Sequence, residues 1–340
     1  MSRFKILIAA VAVMLLWSCG HGGGYSTEVW QNERDNIEDV ELVSIADSLP
    51  PMHDMSYPVG ILGDTIIWYD FQSTDRLFAA YNVATDEFLG WFGKFGNGPG
   101  ELANVGGEFI DKDRRILYGR NTSQWSYFGI NLDEAIGNPD YDAYIKSKMI
   151  SNDKKIPYFH GCYINDSTVI VDAFVPNSDW TKFIFNLGRL DLDKAEIELY
   201  DHPAVEHQAR PRFNTQYNIA VSEKKDLIVA SGCEMDRIIL FDLDGRIKRS
   251  IYGPRYNAEE KRRKAYYSVP VVTDDRIYVI YQKAGNRRKY GKEIIELDLD
   301  GNYIRTLKSP VELVRLAYHK GTNRLYFSSV DEPQLGYVQL

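Results

Sequence analysis

Short apolar runs rich in Val, Ile, Tyr and Phe, separated by Gly, Asp, Asn and Ser, recur along almost the whole chain after its first sixty residues. The clearest unit has runs at 218–222, 227–230, 237–242 and 246–251, with turn residues at 223–226, 232–236 and 243–245. Runs of this length with turn signals between them predict strands. Asp244-Gly245 suits a tight hairpin, which needs positive φ. The unit returns at 269–272, 276–281, 293–297 and 303–307, the last two runs joined through Asp300-Gly301. Earlier copies lie at 66–69, 77–83 and 87–92, and at 162–164, 168–174, 182–190 and 196–200. A weaker copy lies between Glu108 and Ile136, and a final one from Leu313 to Leu340 supplies only three strands.

Four-stranded sheets repeated around a ring leave no open sheet edge only if another segment completes the last sheet. Residues 40–45 (Val-Glu-Leu-Val-Ser-Ile) alternate as a strand and have no neighbouring partner in sequence. The expected fold is therefore all-β: a six-bladed β-propeller over residues 38–340, closed by this N-terminal strand as the outer strand of the final blade. Six blades of about 50 residues account for the length. The segment 137–159 leaves a seventh blade open if it contains strands.

The first residues have a different pattern. Arg3 and Lys5 precede an unbroken apolar run from Ile6 to Leu16. A cationic start and an apolar core of about 7–15 residues make a secretory signal, too short for a bilayer span of about 20 residues. Leu16-Trp17-Ser18-Cys19 resembles the lipobox of bacterial lipoproteins. That resemblance implies removal of residues 1–18 and lipid attachment to Cys19. Residues 19–37 then read as a lipidated tether that begins with the glycines at 22–24. The closing strand would bring this tether to the seam between first and last blades. Surface-displayed lipoproteins of the kind this lipobox resembles tend to carry acids just after the cysteine. Residues 20–24 carry none, so the resemblance implies an outer-membrane position facing the periplasm rather than surface display.

Charge and chemistry narrow the function. Loss of Arg3 and Lys5 with the signal, and of no acid, moves the formal charge from -8 to -10, a poor balance for a nucleic-acid partner. Cys162 and Cys233 are too few for a disulfide scaffold and have no CxxC or zinc spacing. Asp242-x-Asp244-Gly245 and Asp298-x-Asp300-Gly301 open like calcium loops but lack the later ligands, so hairpin turns explain them. The glycines of 93–100 lack a phosphate-loop Gly-Lys-Ser/Thr, and Pro99 removes a backbone donor, which leaves a tight crossing between blades. His160 and Cys162, two apart on one strand, share a side without facing each other. No nucleophile elbow or HExxH motif occurs. No catalytic residue, metal or cofactor is expected.

The stretch Gly93-Lys-Phe-Gly-Asn-Gly-Pro-Gly-Glu101 is similar to a signature found after the first blade of the TolB-like six-bladed propeller lipoproteins of Bacteroidetes. Phe241-Asp242-x-Asp244-Gly245, Tyr252-Gly253-Pro254 and 277–281 look like later blades of that family. The resemblance implies the propeller and an envelope location, and no activity. Loops between blades, and those joining second to third strands, emerge on one propeller face, and here they are the long ones: 93–106, 137–159, 202–217, 253–268 and 283–292. Long loops tend to carry function. They hold Arg210, Arg212, Arg255 and Arg287, and shorter loops of the same face hold Trp125 and Trp180, a cationic and aromatic rim suited to an anionic or sugar-like ligand. The basic run 261–264 follows Ala258-Glu259-Glu260 and fits a solvated helix with Glu–Lys pairs equally well. The expected function is a monomeric envelope binding module for a glycan, peptide or protein. The alternatives are a propeller-type lyase or hydrolase acting on a glycan or other anionic substrate, and a scaffold in an envelope complex.

Overall fold

The computed structural model describes residues 28–54, 56–149, 158–165, 168–176, 183–200, 216–257, 265–282 and 290–340. Five hydrogen-bonded sheets contain six blades. Blade 1 is built from Tyr57–Leu62, Thr65–Tyr69, Arg76–Asn82 and Glu87–Lys94, counted outward from the axis. Blade 2 uses Val105–Asp111, Ile116–Asn121, Ser126–Asn131 and Tyr144–Lys148, and blade 3 uses Tyr158–Asn165, Thr168–Pro176, Phe183–Asp191 and Glu196–Leu199. Blade 4 comprises Tyr217–Ser222, Leu227–Gly232, Arg237–Phe241 and Ile247–Tyr252. Among the described residues, the segment 137–159 supplies the outer strand of blade 2 and the start of the inner strand of blade 3, and no seventh blade.

Blades 5 and 6 share one sheet because a single strand, Tyr303–His319, serves both. Its first part pairs with Gly291–Asp298 as the outer strand of blade 5, whose inner strands are Val271–Val272 and Arg276–Tyr281. Its second part pairs with Arg324–Ser329 as the inner strand of blade 6, followed by Leu335–Gln339. Pro310 lies inside this strand. It falls between the runs read from sequence at 303–307 and from Leu313; proline gives no ladder donor, and at a crossing between blades none is needed.

The ring closes as expected from the alternation of 40–45: Val43 and Ser44 pair antiparallel with Tyr337 and Gly336. Apolar side chains fill each of the six blade junctions. Phe92 and Leu117 share one cluster between blades 1 and 2, and Phe109 and Val169 another between 2 and 3. Phe185 and Ile228 lie in the cluster between 3 and 4, Leu240 and Ile295 in that between 4 and 5, and Ile294 and Phe327 in that between 5 and 6. Trp68 and Tyr326 join blade 1 to blade 6. A propeller stores its core in these radial seams, which is how a chain of this length does without one thick centre.

The N-terminal segment does more than close the last blade. Glu28–Trp30 runs parallel to the outer strand of blade 4, with Glu28 opposite Ser250 and Trp30 opposite Tyr252. Ile37–Asp39 runs parallel to the outer strand of blade 5, opposite Thr306–Lys308. Residues 28–37, read from sequence as tether, thus include a strand paired with blade 4, and the first described residues lie at that blade. The physical reason is plain. Three-residue additions use backbone donors and acceptors on open sheet edges, and Glu-Val-Trp and Ile-Glu-Asp are too short to show an alternation.

Candidate functional site

The loop face is held in shape by side chains that fold back on their own backbone. In the glycine-rich crossing after blade 1, the Gly98 N–H donates to Glu101 Oε2 at 2.7 Å, and a Cβ at Gly96 (φ 153°) would fall on that carboxylate. Gln124 Nε2 donates to the carbonyls of Asn97 and Gly98 at 3.2 and 3.3 Å, clasping the 122–125 turn of blade 2 onto the crossing. Trp125 tops that turn in a left-handed conformation (φ 48°) with its side chain 53% exposed. Phe71 follows the second strand of blade 1, Phe95 follows its fourth, and Phe159 opens the inner strand of blade 3. All three are exposed and stand at loop-face ends of their blades. Phe159 is braced edge-on against Phe174, with ring centroids 4.9 Å apart. Blades 1 to 3 thus carry a crescent of four exposed aromatic rings.

Of the sequence-predicted rim, Trp125 belongs to this crescent. Arg255 has an exposed side chain in the loop leaving blade 4, where its N–H donates to Asp236 Oδ2 at 2.9 Å. The two stand two blades apart, so the fold does not bring them together. Arg210, Arg212, Arg287 and Trp180 lie outside the described residues, as do Cys19, the basic run 261–264 and its preceding Ala-Glu-Glu. Phe71, Phe95 and Phe159 were missed, since single aromatics beside strand ends resemble strand residues.

Arginines lie over tyrosines at three blade junctions. Arg315 of blade 6 sits 4.5 Å above the ring of Tyr57, whose hydroxyl donates to Glu108 Oε1 at 2.6 Å. Arg315 Nη1 lies 3.6 Å from the same carboxylate. Burial, then the Glu108 charge, pushes the Tyr57 phenol well above its ordinary range. At the junction of blades 4 and 5, Arg34 of the N-terminal segment donates to Tyr267 Oη at 2.9 Å. Tyr267 and Tyr281 both donate to the buried Asp236 carboxylate, which lies 3.8 Å from Arg34 Nη1. At the junction of blades 2 and 3, Arg120 lies 4.1 Å above the ring of Tyr158. The inner strands of blades 1, 2, 3 and 6 carry bulges at 58/60, 106/109, 158/161 and 313/315, beside or around these groups. Bulges re-aim side chains and recur next to functional sites. Gly106-Gly107 before Glu108 was the available sequence signal.

His160 stands within the blade 3 bulge. Its Nδ1–H donates to Asp172 Oδ2 at 2.7 Å, while Asp172 Oδ1 accepts the N–H groups of Phe159 and His160. This fixes the imidazole and leaves Nε2 as its working atom. Cys162 is directed elsewhere, its Sγ toward the Ile219 carbonyl at 3.8 Å. Burial pushes its thiol up to about 12, so at neutral pH it is not a thiolate nucleophile. No disulfide joins it to Cys233. His53 and His319 likewise each meet one aspartate, Asp70 and Asp64. Among the described residues no three His, Cys, Asp or Glu side chains come together as a metal site. Asp242 and Asp298 spend their carboxylates on turn N–H groups at Arg246 and Asn302.

Six blades, an N-terminal strand closing the ring and long loops on one face define a six-bladed β-propeller. The chain belongs to the TolB-like 6-blade propeller-like family, whose sequence model matches residues 42–311. Among solved structures it is similar to a member of the DUF4221 family from Bacteroides vulgatus, at 15% identity and a TM-score of 0.58, over 90% of this chain and 98% of that one. A putative exported protein from Bacteroides fragilis aligns at 13% identity and a TM-score of 0.55, over 88% and 87%. A gluconolactonase from Xanthomonas campestris aligns at 12% identity and 0.53, over 88% and 90%. At these identities the likeness is one of fold. No curated protein matches the chain.

Proposed function

We propose that this protein is an exported, lipid-anchored binding module that recognises a ring-bearing ligand, a glycan foremost, through the loop face of blades 1 to 3. The crescent of Phe71, Phe95, Trp125 and Phe159 carries the reading. Four exposed aromatic rings on clasped, rigid loops supply contact area at small entropic cost. Reactive groups near the axis point the same way: Glu108 and Asp172 are engaged by protein donors, and Cys162 is held as a thiol. Titration of the protein with a panel of soluble glycans, followed by calorimetry, tests this. Trp125→Ala should weaken binding about thirtyfold, since losing a tryptophan anchor costs roughly 2 kcal/mol. Unchanged affinity would remove the crescent from the site.

The anchor is proposed from Leu16-Trp17-Ser18-Cys19, supported by the exported protein of similar fold. Growth with an alkyne-tagged fatty acid should label the wild-type protein, with the label in the outer-membrane fraction and shielded from protease added to intact cells. Cys19→Ala should abolish labelling. Persistent labelling of that variant would exclude Cys19 as the lipid site.

A further inference from the structure

The three arginine–tyrosine junctions are alike in chemistry and differ in one respect. Glu108 serves the Arg315–Tyr57 pair and Asp236 serves the Arg34–Tyr267 pair. At the third junction, the Tyr158 hydroxyl and Arg120 Nε are both buried with no hydrogen-bond partner among the described residues. Tyr158 is 1% exposed; the Tyr127 phenol interacts with it but does not meet hydrogen-bond geometry with its hydroxyl. Asp172 is the nearby carboxylate, but two backbone N–H groups and His160 already occupy it. Leaving a buried donor unmet costs about 1–3 kcal/mol. The chain keeps two such groups side by side.

Glycine backbone packs closely against this pair. Gly107 has φ 62°, and a Cβ there would stand 2.6 Å from the Tyr158 ring and 3.2 Å from Arg120 Nε. At Gly106 a Cβ would meet only Arg120 Nη2, at 3.7 Å. The two glycines place only backbone, and no side chain, against the Nε–Nη2 edge of Arg120; this is the edge along which a carboxylate docks with two parallel bonds. Arg120 is partly exposed, one residue from the end of its strand and in register with Tyr127, at the foot of the turn that carries Trp125.

We infer that Arg120 and Tyr158 form a carboxylate-binding subsite at the junction of blades 2 and 3, which takes the acid group of a ligand whose ring packs on the aromatic crescent. An acidic sugar such as a uronic acid has this chemistry. The ligand's carboxylate occupies the role that Glu108 and Asp236 fill at the equivalent junctions. The inference deepens the reading of the loop face and rests on it.

Calorimetry of the full mature protein in detergent, with glucuronate, glucose and acetate as probes, tests it. Glucuronate should bind at least tenfold more tightly than either glucose or acetate. Arg120→Gln should erase that advantage, and Arg120→Lys, which keeps the charge but not the planar fork, should lose most of it. If Arg120→Gln fails to fold by circular dichroism, Tyr158→Phe, which removes only the hydroxyl, should still reduce the preference severalfold. Equal binding of glucuronate and glucose, or a preference indifferent to these variants, would overturn the subsite. Neutral glycans that still bound in a Trp125-dependent way would then leave the binding face standing. Acetate binding as tightly as glucuronate would refute the ring-bearing ligand, and failure of every probe would refute both readings.

Discussion

Asp236→Ala lowers the unfolding free energy by about 3–5 kcal/mol, the range for breaking a buried ion pair from one side. Asp236 is 1% exposed, and it accepts from Tyr267, Tyr281 and the Arg255 N–H. Arg34 lies with it, its side chain 5% exposed, and also holds Gln31, whose amide donates to the Gly301 carbonyl of blade 5. Truncation strands a buried guanidinium and frees two phenol hydroxyls. It also loosens the N-terminal segment from blades 4 and 5. Guanidinium titration monitored by circular dichroism measures the loss. Arg34→Met in the same background should restore part of it, because the uncompensated charge goes too. A loss under about 1 kcal/mol would mean that the segment is held by its backbone pairing alone.

Alkaline pH should unfold the protein steeply. Burial is the largest cause raising the phenols of Tyr57, Tyr158, Tyr217 and Tyr267 above their ordinary value. Each has a higher pKa folded than unfolded, so above about pH 10 the unfolded chain has released a proton that the native chain retains. Their contribution is complete below pH 10 and falls as pH rises toward the folded values. Each group costs roughly 1.4 kcal/mol per pH unit in that window, so four together cost on the order of 5 kcal/mol for the first unit. Phenolate absorbance near 295 nm should rise in one cooperative step together with loss of the β-sheet signal. Gradual ionisation of all tyrosines in a folded protein would contradict this.

Blades 4 and 5 were legible almost residue by residue. Their strands are continuous Val/Ile/Leu runs bounded by Asp-Gly turns, and burial on both faces suppresses polar interruptions. Blade 2 was harder: its inner strand begins Val105-Gly106-Gly107, and its outer strand, Tyr144–Lys148, is half polar because one edge faces solvent. The closing strand was found by asking which sheet edge lacked a partner, a topological constraint that needs no local signal. The parallel additions at 28–30 and 37–39 have no such constraint, since blades 4 and 5 are already complete with four strands. The candidate site was less visible. Trp125 could be placed on the loop face from strand order alone. The pairing of Arg120 with Tyr158, or of Glu108 with Arg315, depends on how neighbouring blades are rotated together, and linear spacing does not encode that.

Because the belt formed by residues 28–44 docks on blades 4, 5 and 6, the first part of the folded body to be synthesised completes its contacts only when the last part exists. Val43 and Ser44 have no partner until the strand ending at Gln339 has arrived. Contacts of such long sequence separation form late, because loop closure comes before any gain from pairing. If the chain is exported as proposed above, this ordering would postpone the closed native state until translocation is over, and the segment 28–44 would lock the ring only on arrival.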